Sequence, residues 1–293
     1  MPALALAAGL VTAITALPAA AGGFTFHGSG YGHGLGLSQY GALGLARAGW
    51  AAPRIVEHYY TGTRVARHAP PASKVRVGLL PSRREVVLIA QGGPYHLVLE
   101  SGTRVDTVPG GKRRRIRITA NSRFRVLQPN GDVVGKRTWG GRGNDMLARS
   151  SARIKVVGFG HSIGHGTVEF DMVGGRRGHL VNVVSPELYL NGLSEVPASW
   201  PMGALRAQAI AARSYLYWRL AGAPRGGCSC DVVPTTQDGV WIGWDREASP
   251  DGHRWVQAVV DTRRLAASYR GRWIYAAYSS SSGGHTESIR KVW

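Results

Sequence analysis

The sequence predicts an α+β protein in which strand-rich mixed sheets pack with a smaller helical part carrying one long amphipathic helix. Short runs of alternating apolar residues fill positions 74–185, and this period of two is typical of half-buried strands. One long stretch, from Pro201 to about residue 221, instead has apolar residues three and four positions apart, as in a helix that buries one side. The 41 glycines favour many turns over a helical bundle.

The strand pattern recurs along the chain with turn residues between the runs. Residues 128–132 contain Asn-Gly, which readily adopts positive φ and predicts a turn. Pro201 suits the first turn of the long helix. The predicted strands are 74–79, 86–89, 95–99, 115–118, 153–157, 167–170 and 180–183. The predicted apolar stripe of the helix is Met202, Leu205, Ala209, Ala212, Leu216 and Leu220.

The amino-terminal segment predicts export. Residues 3–17 are almost continuously apolar, Pro18 and three alanines follow, and the first charged side chain is Arg47. This is the layout of a signal-peptide core and its cleavage site, although the basic start of such a peptide is missing. A buried helix or a membrane anchor is the alternative, but Pro18 and the glycines after it interrupt the run before it comfortably spans a bilayer. We therefore expect a signal peptide at 1–21 and a secreted or wall-associated protein with no stable membrane span.

Composition and charge narrow the class of partner. Hydrophobic residues make up 44% and charged residues 18% of the 293 positions, an ordinary globular composition, and the net charge is +19. A field of that sign attracts polyanions. We find no zinc-finger spacing, helix-turn-helix or RNP-like signature, so we expect no nucleic-acid partner, and an anionic wall polymer suits an exported chain better.

Two short motifs leave alternatives open. Cys228 and Cys230 could form a disulfide, stay free, or help to hold zinc. His161 and His165 are four residues apart, but the glycines around them argue against the helix that would make a metal pair, so we expect structural or exposed histidines and no metal site. Residues 160–164 also spell the G-x-S-x-G of a serine-hydrolase elbow, which requires a helix directly afterwards. The glycines and the strand predicted at 167–170 leave no room for one, so a hairpin turn is expected.

Three segments in order resemble the SpoIID/LytB family. Residues 188–220 read LYLNGLSEVPASWPMGALRAQAIAARSYLYWRL, residues 235–244 read TTQDGVWIGW, and residues 278–288 read YSSSSGGHTES. The segment 28–50, GSGYGHGLGLSQYGALGLARAGW, and HYYTGT at 58–63 also resemble this family, in which they usually lie near the carboxyl end. The resemblance implies a Gly/Tyr/His-rich segment and linker at 22–72 and a SpoIID/LytB-like domain at 73–293. Because family members usually continue beyond the Ser/Gly motif, we expect this domain to be truncated at Trp293.

The resemblance implies a lytic transglycosylase of peptidoglycan glycan strands that needs no cofactor. Such an enzyme uses one carboxyl group both as acid and as base, whereas hydrolytic glycosidases usually divide the work between two. Glu195 occupies the position of the family's catalytic Glu, and its apolar neighbours Leu193, Val196, Pro197 and Trp200 would favour its protonated form. The alternative for Glu195 is a cap of the helix that follows.

The other candidates depend on family position or on residue type. Hydroxyls and close-approaching glycine backbone in the Ser/Gly motif suit a glycan, although a flexible turn would look the same. The helix residues could instead be a polar face pinned to neighbouring strands. The candidates for substrate binding are Gln208, Arg213, Tyr215, Ser281, Ser282, Gly283, Thr286, Tyr31, His33 and Gln39.

Two other functions remain open. LytB-type relatives are described as modifiers, so the chain could bind the wall without cutting it and stimulate a separate wall amidase. Binding of polyanions through charge alone is the third hypothesis, and it predicts a steep loss of binding with salt.

Overall fold

The computed structural model describes residues 28–288, and the predicted signal peptide at 1–21 lies outside them. The described residues form six helices, and residues that favour a helix start are found at the beginning of the first three. Ser38 caps the first helix by accepting a hydrogen bond from Gly41 N at 3.2 Å, and prolines stand in the first turn of the second and third. The helices are Gln39–Arg47 (α1), Ala52–Tyr59 (α2), Pro186–Asn191 (α3), Met202–Ala221 (α4), Trp244–Glu247 (α5) and Gly252–Asp261 (α6).

The described residues also form sixteen strands, and each predicted strand is among them. The first eight are Leu37–Ser38 (β1), Arg64–Arg67 (β2), Val75–Arg83 (β3), Glu85–Gln91 (β4), Tyr95–Leu99 (β5), Arg104–Val108 (β6), Arg113–Ile118 (β7) and Phe124–Leu127 (β8). The others are Met146–Ser150 (β9), Arg153–Val156 (β10), Ser162–Ile163 (β11), Thr167–Gly174 (β12), Arg177–Val184 (β13), Leu265–Tyr269 (β14), Arg272–Trp273 (β15) and Tyr278–Ser279 (β16).

Two antiparallel sheets share the main core. One has six strands in the order β3-β13-β12-β9-β5-β6, and the other has five in the order β11-β10-β4-β7-β8. Several strands alternate between inward and outward residues, as in β4, where Val86, Leu88 and Ala90 are buried and their neighbours are not. Phe124 of one sheet meets Phe170 of the other with ring centroids 5.7 Å apart. Each such buried side chain contributes about 1.5–3 kcal/mol, so the pairing holds the sheets together.

Helix α4 lies between the main core and a second apolar cluster. Its predicted stripe faces the main core, in which Leu205 and Leu216 are buried. The opposite side packs on the second cluster through Ile210 and Ala211, next to Ile55 of α2. From residue 204 to residue 217 nearly every side chain is therefore buried, including polar ones.

A short parallel pair joins distant parts of the chain. Strand β1 lies beside β16, with Leu37 opposite Tyr278, and Tyr31 and Ser281 exchange backbone hydrogen bonds of 2.8 and 3.0 Å. Gly36 permits the contact, because its φ is +64° and a Cβ there would lie 2.1 Å from the Ala277 carbonyl oxygen. The Gly/Tyr/His-rich segment and the Ser/Gly motif thus form one unit.

The local motifs are resolved as follows. Residues 128–132 form the predicted turn, closed by a hydrogen bond of 2.8 Å from Gln128 N to Asp132 O, with Gly131 at positive φ. The G-x-S-x-G motif at 160–164 comprises the end of the β10–β11 turn and strand β11, and the element directly after it is strand β12 instead of a helix. Cys228 and Cys230 form a disulfide. No helix among the described residues has the length and hydropathy to cross a membrane.

Candidate functional site

Glu195 lies on the loop between α3 and α4, and this loop is held against the segment before α5. Ser194 N donates to Val240 O at 2.8 Å, and Val240 N donates back to Glu195 Oε1 at 2.5 Å. Leu193 forms a β-bridge with Trp241, whose indole N–H donates to Tyr189 O at 2.8 Å. Val240 therefore holds both the backbone before Glu195 and the Glu195 carboxyl group.

Glu195 faces a cavity of about 270 Å³. Its walls come from the Gly-rich segment, the 236–239 loop and the stretch that includes β16, so three distant parts of the sequence meet there. Four tyrosines give the cavity flat apolar faces and hydroxyl groups, which suit a sugar. They are Tyr31, Tyr215, Tyr275 and Tyr278.

Burial raises the pKa of the Glu195 carboxyl, and the hydrogen bond from Val240 N opposes part of that rise. No basic side chain among residues 28–288 forms an ion pair with Glu195. The pKa of the Tyr278 hydroxyl is also raised well above its usual value, first by burial and then by the nearby Glu195 charge. The site thus favours a protonated Glu195, which is the form of a general acid.

Gly239 leaves the space that the carboxyl occupies. A Cβ at this position would lie 3.2 Å from Glu195 Oε1 and 3.3 Å from the Tyr278 hydroxyl oxygen. Both distances are shorter than ordinary contacts, so a side chain here would push against the acid and its aromatic neighbour. The glycine before Val240 is thus part of the geometry around Glu195.

A second carboxylate in the cavity wall, Asp238, is fully engaged by the protein. Tyr215 Oη donates to Asp238 Oδ1 at 2.6 Å, and the Arg225 guanidinium donates to both Asp238 oxygens at 2.5 and 2.8 Å. Val233 N donates to Oδ2 at 2.7 Å. Because the Asp238 side chain is 0% exposed and ion-paired, it orders the 233–238 loop and leaves Glu195 as the acid that faces the cavity unpaired.

Gln39 links the Gly-rich segment to the catalytic candidate. Its Nε2 lies 3.3 Å from Glu195 O and 3.5 Å from Gln208 Oε1. Gln39, together with Tyr31 and His33, lines the cavity, whereas Gln208 lies behind it and is 2% exposed. Gln208 therefore acts on the site through Gln39 and does not reach the cavity surface.

Arg213 does not lie at the cavity, in contrast to the sequence-based expectation of a residue near Glu195. Its side chain is completely buried and forms a bidentate ion pair with Glu187, with N–O distances of 3.0 and 2.8 Å. The remaining guanidinium donors reach Thr262 Oγ1, Leu265 O and Val259 O at 3.1–3.2 Å. All of these partners belong to the structural frame, so Arg213 ties α4 to α3, α6 and β14.

The Ser/Gly motif borders a larger cavity of about 950 Å³. Ser281, Ser282 and Thr286 line it, and Tyr275 and Ala277 also belong to the wall of the smaller cavity. Gly283 does not line either cavity, because it forms the turn against Ser29, which donates to Gly283 O at 3.2 Å. Most of the motif therefore faces open space beside the Glu195 cavity.

His161 and His165, on either side of β11, pair with acids of α5. His161 Nδ1 lies 2.9 Å from Asp245 Oδ2, and His165 Nε2 lies 2.9 Å from Glu247 Oε1. The Glu247 contact raises the pKa of His165. Among residues 28–288, no three His, Cys, Asp or Glu side chains come together in a group that could hold a metal ion. The hairpin and α5 are thus joined by two separate pairs.

Sequence reasoning gave no role to Asp238, Gly239, Val240, Tyr275 or Tyr278. Three of them lie in TTQDGVWIGW, whose order after the long helix was the available signal. What the sequence does not contain is the turn that brings Val240 N within hydrogen-bonding distance of Glu195.

Comparison with known proteins finds similar sequences for the region around Glu195. Residues 175–269 match the family model SpoIID, described as stage II sporulation protein. The amidase enhancer of Bacillus subtilis is 36% identical over 100 residues, which are 34% of this chain and 12% of that protein. Stage II sporulation protein D of Bacillus amyloliquefaciens is 44% identical over 126 residues, 39% of this chain and 37% of that protein.

An uncharacterized protein of Brachyspira hyodysenteriae is 37% identical over 118 residues, 39% of this chain and 30% of that protein. The chain thus matches well under half the length of each of these three relatives. The matched model includes the Glu195 loop, α4 and the Val240 segment. Residues 175–269 are thus the part of the chain that is similar to the SpoIID family.

Proposed function

We propose that the protein acts outside the cytoplasm on peptidoglycan, cutting glycan strands as a lytic transglycosylase with Glu195 as its single acid and base. The observation that carries this proposal is the state of Glu195. It is a half-buried carboxyl with a raised pKa, faces a cavity and has no basic partner among the described residues. A raised pKa favours the protonated form, from which a carboxyl group donates.

The reaction balances with one carboxyl group. Protonated Glu195 gives its proton to the glycosidic oxygen, and the bond from that oxygen to the anomeric carbon breaks. The Glu195 carboxylate then takes the proton of the 6-hydroxyl on the same sugar. The 6-oxygen bonds to the anomeric carbon, which leaves a 1,6-anhydro end and returns Glu195 to its protonated form. No water is consumed.

The rest of the cavity supports this chemistry over hydrolysis. Hydrolytic glycosidases usually need a second carboxyl group as base or nucleophile, and the other carboxylate of the wall, Asp238, is held by Arg225 and Tyr215. The tyrosines offer stacking surfaces for sugar rings. The larger cavity with Ser281, Ser282 and Thr286 would take further sugars of the strand.

The test is a Glu195→Gln variant incubated with purified glycan strands, with products analysed by mass spectrometry. The amide oxygen can still accept from Val240 N, so the loop should keep its geometry while the acid is lost. Glu100→Gln makes the same chemical change on an exposed residue and serves as the control. We expect anhydro-ended fragments from the parent and the control and none from Glu195→Gln. Reducing ends from the parent would mean hydrolysis instead.

The second candidate function is a wall-binding protein that stimulates a separate amidase. It is favoured by the relative named amidase enhancer, which shares 36% of residues in the matched segment. Under this hypothesis neither parent nor Glu195→Gln cleaves glycan strands, both bind them, and both accelerate a wall amidase equally. Equal stimulation without cleavage would therefore replace the transglycosylase proposal.

A further inference from the structure

The outer side of the five-stranded sheet concentrates basic side chains. In β7, Ile116 and Ile118 point into the core, so Arg113, Arg115 and Arg117 point outward. Arg114, on the inner side, is taken up by Asp106 at 2.7 Å. The outward arginines are two residues apart, which spaces them by about 6.7 Å along the strand.

Neighbouring strands add to this surface, because residues directly opposite one another share a side of the sheet. Arg125 of β8 lies opposite Arg117, Lys155 of β10 lies opposite Ile89, and Arg153 of β10 lies opposite Gln91. We call this surface the basic face. It comprises Arg113, Arg115, Arg117, Arg125, Arg153 and Lys155.

Among the described residues, Glu85 is the acid that forms ion pairs with cations of the basic face. Glu85 lies 2.7 Å from Arg117 and 3.8 Å from Arg115. The other four cations form no ion pair within residues 28–288, and Arg125 Nε is buried without a hydrogen-bond partner there. Like charges so placed repel each other, and a bound polyanion would relieve that repulsion.

We infer that the basic face binds a phosphodiester-linked polymer of the polyol-phosphate type. Guanidinium groups bind phosphate oxygens with paired hydrogen bonds, and a ladder of them along β7 suits a chain that carries one negative charge in each repeat. This surface is separate from the Glu195 cavity and extends beyond the proposed glycan cleavage.

The side chains between the cations favour such a polymer over a nucleic acid. Proteins that bind single-stranded DNA or RNA without sequence preference stack the bases on aromatic side chains. The positions of β4 on this side of the sheet carry no aromatic ring, because they are Glu85, Val87, Ile89 and Gln91. Trp244 contacts the rim, where its ring lies 5.4 Å from the Arg153 guanidinium carbon. A polymer without bases needs only the charges.

The basic face is structurally connected to the Glu195 site. Strand β11, at the edge of the same sheet, forms a β-bridge from Ser162 to Gly243, three residues after Val240. A polymer bound on this sheet would therefore hold the cavity close to the wall in which that polymer is embedded.

The test compares Arg113→Gln/Arg115→Gln/Lys155→Gln with the control Arg47→Gln/Arg142→Gln/Arg263→Gln, which removes three exposed cations elsewhere. Both leave the Arg117–Glu85 pair in place, and thermal unfolding checks that both fold. Binding to purified poly(glycerol phosphate) is measured against salt concentration. We expect the face variant to bind more than about tenfold more weakly and its slope of log affinity against log salt to flatten by about 2.

Three results would overturn the inference. These are unchanged binding by the face variant, equal losses in the face and control variants, and tighter binding of the parent to single-stranded DNA of the same charge. Glu195→Gln should bind the polymer as the parent does, so failure of the cleavage proposal and failure of this one can be told apart.

Discussion

Replacing Arg213 with Met is expected to lower the free energy of unfolding by about 4 kcal/mol without changing the activity of the protein that remains folded. The sequence alone suggested a substrate-binding role for Arg213. The structure instead surrounds it with Glu187 and with acceptors of α6 and β14, so its loss should weaken the frame and not the site.

The magnitude follows from the partners that lose their donor. The Arg213 side chain is 0% exposed and that of Glu187 is 25% exposed. Removing one member of a buried ion pair costs about 3–5 kcal/mol. Partial hydration of Glu187 moves the value down, and the loss of the Arg213 donor at the Val259 and Leu265 carbonyls moves it up, by about 1 kcal/mol each.

Urea denaturation measures the change, with Arg206→Met as the control on the same helix. Arg206 pairs with Asp261 near the surface, with side chains 42% and 25% exposed, and such pairs contribute about 0–1 kcal/mol. The reasoning is refuted if Arg213→Met costs no more than the control. It is also refuted if the folded variant no longer binds glycan.

Three further predictions concern other parts of the chain. Gly239→Ala should reduce cleavage at least tenfold with a small change in stability, because its Cβ would press against Glu195 Oε1. The control Gly44→Ala, whose Cβ meets open space, should cleave normally. Equal cleavage rates for the two variants would contradict this prediction. Burial raises the pKa of Asp171 to about 6, although its ion-pair partner Arg76 opposes part of the rise and Glu169 adds to it. The stabilising contribution of Asp171 is therefore complete below about pH 4 and is lost as pH rises through 6. Measured by urea denaturation, the free energy of unfolding of the parent should fall by about 3 kcal/mol across that window relative to that of Asp171→Asn. The same dependence of stability on pH in both proteins would contradict this prediction. Replacing Cys228 and Cys230 with Ser should cost only about 1.5 kcal/mol, because the disulfide closes a loop of three residues; a loss above about 4 kcal/mol in thermal unfolding would show a larger role.

Helix α4 shows where sequence periodicity stops being informative. Its stripe, which includes Leu205 and Leu216, is readable because apolar residues recur every three or four positions and do face the main core. The opposite side carries Ala207, Ala211 and Tyr215, which look neutral in a sequence but pack on the second cluster. Small residues permit close packing but give no strong apolar pattern in the sequence. The polar residues between them were therefore predicted to bind a ligand, although they are buried in the structure.

The candidate site was partly readable for a similar reason. Glu195 stands out because it is an acid between apolar residues and because its segment, 188–220, resembles a motif of the family. The roles of Asp238 and Val240 depend on a loop that folds back on Glu195 from 45 residues along the chain, through one backbone hydrogen bond to Ser194 and one from Val240 N to the Glu195 carboxyl. Sequence spacing contains no information on such a contact, since the loop between could be closed in many ways.

The sequence by itself determined the α+β class, the strands and their turn and the long helix, because alternation and periodicity are local properties. It also singled out Glu195 as the candidate acid, a role that stays a prediction. Only the tertiary structure decided which polar groups meet. It brought Tyr31 and Gln39 to the Glu195 cavity through the β1–β16 pair, used Arg213 to hold the frame, and aligned the arginines of β7 on one face. Those outcomes depend on strand register and on burial, which are set by packing between residues far apart in the chain.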